Sequence, residues 1–243
     1  YLTGKKHNLL LEGNFKLVED DFGSKESLDL IKNFDSEVCF HLAAQSSVVV
    51  SVQDPGLDFE HNILQPIQLL NALINSNCKK FVFTSSGGTI FGEPKIIPTA
   101  EDDYSNEPSS PYGVAKKKLN EIIKIMTLNT SLSYSILNLS NVYGPRQDPH
   151  GEAGVVSIFS NKYLNGENPV IYGNGEQTRD YIFVQDVISA LIKSSKIQDD
   201  LFLNIGTGIE TSVNQLAESL KTQFSSDLEP IYKDARAGEL KRS

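Results

Sequence analysis

Tyr112-Gly-Val-Ala-Lys116 stands directly behind Ser109-Ser110-Pro111, and its two ends are the side chains in this sequence best suited to move a proton. The segment reads as the start of a helix. Residues four apart share a helix face, which brings the Lys ammonium into the region of the Tyr phenol. A free tyrosine, with a pKa of about 10, is a poor base at neutral pH. A neighbouring cation stabilises the phenolate, and a fall of about three units corresponds to roughly 4 kcal/mol. The spacing by itself does not define a site. Tyr1-Leu-Thr-Gly-Lys5 repeats it, and an ordinary amphipathic helix satisfies it equally well.

A second signal is Phe81-Val-Phe-Thr-Ser-Ser-Gly-Gly-Thr-Ile-Phe-Gly92, a buried strand that ends in hydroxyls and runs into a glycine-rich loop. In an open parallel sheet, ligands bind beyond the carboxyl ends of the strands, so Ser85 and Ser86 are placed to meet one. A plain Ser/Gly turn is the competing reading of that stretch in isolation. With Tyr112 following it in the chain, a site becomes the better one.

The elements that must hold these residues alternate between β-rich runs and helical stretches, the pattern of a parallel sheet with helices on its faces. Phe15–Glu19, Val38–Leu42, Phe81–Ser85 and Tyr134–Leu139 read as strands; Ser24–Phe34, Pro55–Ser76 and Pro111–Asn129 carry helical periodicity. Pro66 interrupts the second helix and should kink it or mark an irregular turn. Later elements are shorter: helices over Val155–Leu164, Val184–Lys193 and Val213–Phe224, extended runs at Val170–Tyr172 and Leu201–Ile205. A loop rich in turn formers opens at Tyr143-Gly-Pro-Arg. The expected fold is α/β. Residues 1–139 form a Rossmann-like, doubly wound core, and residues 140–243 are mainly a smaller substrate lobe with some returning core elements. No G-x-G-x-x-G or G-x-x-G-x-x-G occurs, although a dinucleotide-binding fold normally opens with such a turn.

Composition narrows the partners. A net charge of −9 argues against nucleic acid, because phosphate-backbone binding needs clustered Lys and Arg. No run approaches the roughly 18 apolar residues of a membrane span, and the first residues lack a signal-peptide pattern, so a cytoplasmic address is expected. Cys39 and Cys78, with four scattered His, suggest neither a disulfide framework nor a metal site.

Taken together, these landmarks resemble the extended short-chain dehydrogenase/reductase family, in particular its UDP-sugar 4-epimerase branch. Val38-Cys-Phe-His-Leu42-Ala43-Ala44-Gln45 looks like the strand and turn beneath the cofactor. Asp54-Pro55 followed by Asn62 is similar to the helix carrying the family's central Asn. Ser85-Ser86 through Phe91-Gly92, then Tyr112 and Lys116, match the catalytic Ser and Tyr-x-x-x-Lys. Asn141-Val-Tyr-Gly-Pro145 resembles a substrate-phosphate loop, and Tyr172-Gly-Asn-Gly-Glu-Gln-Thr-Arg179 a nucleotide-binding segment. Arg236-Ala-Gly-Glu239 fits a second phosphate Arg, and Asp21-Phe22 an adenine-side pair. On this resemblance the glycine-rich turn and the acid that grips the adenosine ribose would lie just upstream of residue 1. Residues 1–243 by themselves would then be inactive, and Ser243 would precede the family's last helices.

The resemblance implies a mechanism. Tyr112 as phenolate takes the proton of the sugar 4-hydroxyl while hydride passes from C4 to NAD, and hydride then returns to the opposite face of the 4-keto sugar. Ser86 would hydrogen-bond the reacting oxygen, Lys116 would hold the cofactor ribose, and Arg179 and Arg236 would clamp the UDP diphosphate. Ser243 would line the pocket for the sugar's 2-substituent, small enough for UDP-GlcNAc and UDP-GalNAc as well as UDP-glucose and UDP-galactose. A homodimer through Pro55–Ser76 and Pro111–Asn129 is also implied. Three departures stand out: an extra glycine leaves Ser86 and Gly87 competing for the catalytic position, Phe91 replaces a Tyr, and Asn138 replaces an Arg. Strand register favours Ser86. The alternatives are a 4,6-dehydratase, a decarboxylase, a reductase or a non-catalytic dinucleotide-binding regulator. Gly87 and Gly88 supply no acid–base pair of the kind dehydratases need, and an intact Ser86, Tyr112 and Lys116 speaks against a dead regulator.

Overall fold

The computed structural model describes residues 8, 15–103, 106–150, 154–235 and 240–243. In chain order the first elements are α1 (Lys25–Asn33), β1 (Val38–His41), α2 (Val48–Gln53) and α3 (Pro55–Phe59). A π-helical turn (Glu60–Leu64) leads into α4 (Gln65–Ile74), β2 (Lys80–Ser86), α5 (Gly87–Ile90), α6 (Pro111–Thr127), β3 (Ser133–Leu139) and β4 (Asn141–Tyr143). Then follow α7 (Val155–Leu164), β5 (Val170–Tyr172), β6 (Thr178–Arg179), β7 (Tyr181–Phe183), α8 (Val184–Ser195), β8 (Leu201–Ile205), β9 (Thr211–Ser212), α9 (Val213–Gln223) and β10 (Ile231–Lys233).

The main sheet runs β1-β2-β3-β8 and is parallel throughout, with His41 beside Phe83, Ser86 beside Leu139, and Leu139 beside Ile205. Its strands read as near-continuous apolar runs because both faces are covered. On one face, Leu69, Leu70 and Leu73 of α4 and Leu119 and Ile123 of α6 pack on Phe81, Phe83 and Ile136, with α1 at the margin. On the other, Val187 and Leu191 of α8 pack on Val82 and Leu137. A separate cluster joins α7, β5 and α9 through Phe159, Tyr163, Ile171, Val213 and Ala217. The late strand β8 returns to the main sheet, while β5 pairs with β10 and β4 with β7.

Two expectations change. Residues 15–19 do not form a strand, and Phe15, Leu17 and Val18 stay exposed. A ladder needs a neighbouring strand, and among the described residues none flanks them. The single helix expected over Pro55–Ser76 is three segments, α3, the π-helical turn and α4. Pro66 explains this: it has no N–H for the carbonyl one turn earlier, and the wider turn ahead of it repairs the register.

Candidate active site

Tyr112 and Lys116 owe their position to the start of α6. Ser110 has extended geometry, its hydroxyl accepts from Gly113 N at 3.2 Å, and Pro111 fills the first helical position. Gly113 is needed for packing: a Cβ there would lie 2.9 Å from Thr89 O and from Pro108 Cβ. The first turn of α6 therefore presses against α5, beyond the carboxyl end of β2. Gly87 plays a similar part, because its Cβ would sit 3.1 Å from the Asn138 and Leu139 carbonyls of β3.

Ser86 closes β2 at the N-cap position of α5 and lines one cleft with Tyr112. Lys116 Nζ donates to Thr84 O at 3.2 Å and lies 4.6 Å from the Phe83 ring centroid. Both members of the pair are buried, at 9% exposure for Tyr112 and 3% for Lys116. Burial pushes the Lys116 pKa down to about 8, with the Asp58 carboxylate opposing the fall. Burial also raises Tyr112, the Ser86 hydrogen bond acts against it, and Asp58 adds to the rise. Desolvation is the largest influence on the phenol, as it is on the ammonium.

A cleft of about 370 Å³ opens over this pair and is lined by Leu42, Ala44, Ser85, Ser86 and Asn141 as well as Tyr112 and Lys116. An adjoining space of about 340 Å³ brings Ser86 and Asn141 together with Arg179 and Ser243. Tyr172 lines a third hollow, of about 450 Å³, that shares Leu240 with the second. Asn141 opens β4, its N–H bonded to Asp180 O at 2.9 Å. Asp180 in turn accepts from Thr207 N and Gly208 N, which ties the substrate-side loops together. Ser243 bonds Thr178 through its N–H and Asp180 through its carbonyl, both at 3.3 Å, and its hydroxyl lies 3.6 Å from where a Gly88 Cβ would be. Phe22 stacks edge-on against His41 at 4.9 Å, away from the Tyr112 cleft, and exposed Asp21 caps the turn through Gly23 N. Ala43 is exposed on the turn after β1. Arg236 and Glu239 lie outside the described residues. Asn138, in place of an Arg, is buried in an amide chain: Asn120 donates to it at 3.4 Å and it donates to Asn204 at 3.0 Å.

Beneath the cleft the structure adds a residue that the sequence reading passed over. Asp58 is fully buried; its Oδ1 accepts from Gln45 Nε2 at 2.7 Å and from Asn62 Nδ2 at 2.9 Å. Asn62 also donates to Gln45 O at 2.8 Å, locking the turn after β1 onto the helix. The positions 54, 58 and 62 advance by four, and that spacing was the available signal.

A model of the NAD dependent epimerase/dehydratase family matches residues 3–206. The chain belongs to that family. The UDP-glucose 4-epimerase of Thermotoga maritima, solved with UDP-glucose, is 42% identical with a TM-score of 0.94, over 99% of this chain and 78% of that one. A UDP-N-acetylglucosamine 4-epimerase of Methanobrevibacter ruminantium, in complex with UDP-N-acetylmuramic acid, is 35% identical with a TM-score of 0.93, over 99% and 77%. The Thermus thermophilus UDP-glucose 4-epimerase complexed with NAD is 35% identical with a TM-score of 0.90, over 99% and 78%. Within this family member, no helix of the described residues is long and apolar enough to cross a membrane.

Proposed function

We propose that the protein interconverts UDP-sugars by NAD-dependent epimerisation at C4, with Tyr112, Lys116 and Ser86 as its catalytic residues. The observation that carries this reading is the cleft that brings buried Tyr112 and Lys116 of α6 together with Ser86 at the carboxyl end of β2, next to a loop whose Gly87 and Gly88 offer no further acid or base. The cleft suits a nicotinamide riboside. Ser85 Oγ is buried without a protein partner, Lys116 spends one N–H on Thr84, and Leu42 and Ala44 give an apolar floor. Leu42, Ala43, Ala44, Gln45, Asn62 and Ser85 would hold the cofactor from this side, Asp21 and Phe22 from the adenine side. Bound NAD would supply the hydride acceptor and donor and a positive ring charge near the phenol.

In this reading Tyr112 takes the 4-hydroxyl proton and later returns it. Ser86 fixes the phenol and the reacting oxygen on one line. Lys116, still largely charged at neutral pH, favours phenolate over phenol. Asn141 and Arg179 meet the substrate next to Ser86, with Arg179 suited to a diphosphate; Tyr172 marks the nucleotide end, and Arg236 and Glu239 complete the diphosphate side. Ser243 lines the space it shares with Ser86, Asn141 and Arg179, and its small side chain supports a reading in which 2-acetamido sugars are accepted as well as plain ones.

Residues 1–139 make up the cofactor side and 140–243 the substrate side, with α8 and β8 returning to the core. The enzyme is cytoplasmic, where charged nucleotide sugars reside, and homodimeric; exposed Leu57, Leu64, Ile125 and Leu128 on the matching helices support a partner surface. The test is Tyr112→Phe in the full-length protein. Turnover should fall by orders of magnitude while UDP-sugar binding holds, since the phenol acts in the transition state. Near-normal epimerisation by that variant would falsify the mechanism.

A further inference from the structure

We propose that Asp58 is the buried counter-charge of the Tyr112–Lys116 pair and the anchor of the turn after β1, a positioning residue that couples cofactor floor to proton transfer. The inference rests on the epimerase reading of Tyr112 and Lys116 and adds a residue to it. Three observations carry it. Asp58 is wholly removed from solvent on α3, a helix packed against α6. One carboxylate oxygen is committed to Gln45 and Asn62, while Oδ2 is buried with no hydrogen-bond partner. Lys116, also buried, has a backbone carbonyl as its hydrogen-bond acceptor, and Asp58 is the anion whose field acts on it.

A buried ammonium without a counter-charge gives up its proton, and a buried carboxylate without one takes a proton up. Placed together, each keeps the other ionised. The groups in electrostatic reach of Asp58 are Lys116 and Tyr112 from α6 and His61 from the π-helical turn. The neighbouring α2, Val-Val-Val-Ser-Val-Gln, contributes no charge, and at the end of β1 burial and the Lys116 charge lower the His41 imidazole and keep it neutral. Burial lifts the Asp58 carboxyl above its ordinary value, with Gln45, Asn62 and Lys116 opposing that rise. Asp58, whose charge acts on Lys116, also holds Gln45, whose side chain bonds Ser47 O at 2.9 Å. Charge and loop geometry therefore share one side chain.

The test is Asp58→Asn, which keeps an oxygen for Gln45 and Asn62 and removes the charge. Loss of a nearby anion lowers the proton affinity of every group around it. The Lys116 titration, followed by carbon-13 NMR of the labelled side chain without NAD or sugar, should move to lower pH by about one unit. Both limbs of the pH profile of kcat should move to acid with it. A profile that falls in height without moving, or an unshifted Lys116, overturns the proposal and leaves Asp58 as loop structure only. The wild-type protein gives a reading that needs no variant. A carbon-13 signal showing Asp58 ionised at pH 7 agrees with the proposal, and one showing it protonated overturns it. Because the NMR titrations involve no turnover, a wild-type protein without epimerase activity would count against the reaction and not against the charge pair.

Discussion

Lys116→Met isolates the energetic cost of keeping a lysine at this site. The side chain is 3% exposed, and burial brings its pKa from an ordinary 10.5 to about 8. At roughly 1.4 kcal/mol per pH unit, that gap corresponds to about 3 kcal/mol. Below pH 8 both folded and unfolded chains carry the ammonium, and the full cost of burying it is present. Between pH 8 and 10.5 the folded chain has lost the proton and the unfolded chain has not, so the wild type gains stability as pH rises. Met has a similar length and no charge, so its stability lacks this slope. The urea-derived stability difference, variant minus wild type, should therefore shrink by about 3 kcal/mol from pH 7.5 to pH 10.5. The lost hydrogen bond to Thr84 O only offsets the difference, because it does not titrate. A difference constant across the range would refute the argument, since it would mean that Lys116 is not desolvated in the folded protein.

Three further outcomes follow from the same geometry. Ser86→Ala should cost about 100-fold in turnover, and Ser85→Ala distinctly less, measured as kcat on UDP-glucose; the opposite ranking would hand the catalytic position to the other register. Ser110→Ala removes the cap of α6 and should lower the unfolding free energy by about 1 kcal/mol in urea titration. No loss of stability there would show that the helix start is fixed by Pro111 and Gly113 instead. Ser243→Tyr should depress kcat/KM for UDP-GlcNAc and spare UDP-glucose, because the added ring would enter the space that Ser243 shares with Ser86, Asn141 and Arg179; an equal fall in both would remove the pocket argument.

The local elements were legible where composition and boundaries agreed. Val155–Leu164, Val170–Tyr172 and Leu201–Ile205 coincide with α7, β5 and β8, each an apolar run between turn formers. The end of β2 was close to legible too: the strand expected to Ser85 runs one residue further, to Ser86. Residues 15–19 were not, because alternation describes a side-chain pattern and not the partner strand that turns it into a ladder. Pro66 announced an irregularity but not its form; whether the chain kinks or widens into a π-helical turn depends on what the helix packs against.

Asp58 shows why residue types stop short of chemistry. In a helical segment an Asp reads as part of a solvated face, the usual position for that side chain. Only the packing of α3 against α6 takes it out of water and sets it opposite a lysine from a distant part of the chain. The same packing bears on Tyr112. Spacing brings an ammonium near the phenol and argues for a lowered pKa; the walls that create the site also desolvate the phenolate, and burial is the largest influence on it. The balance between the two is set by packing, which spacing alone does not show.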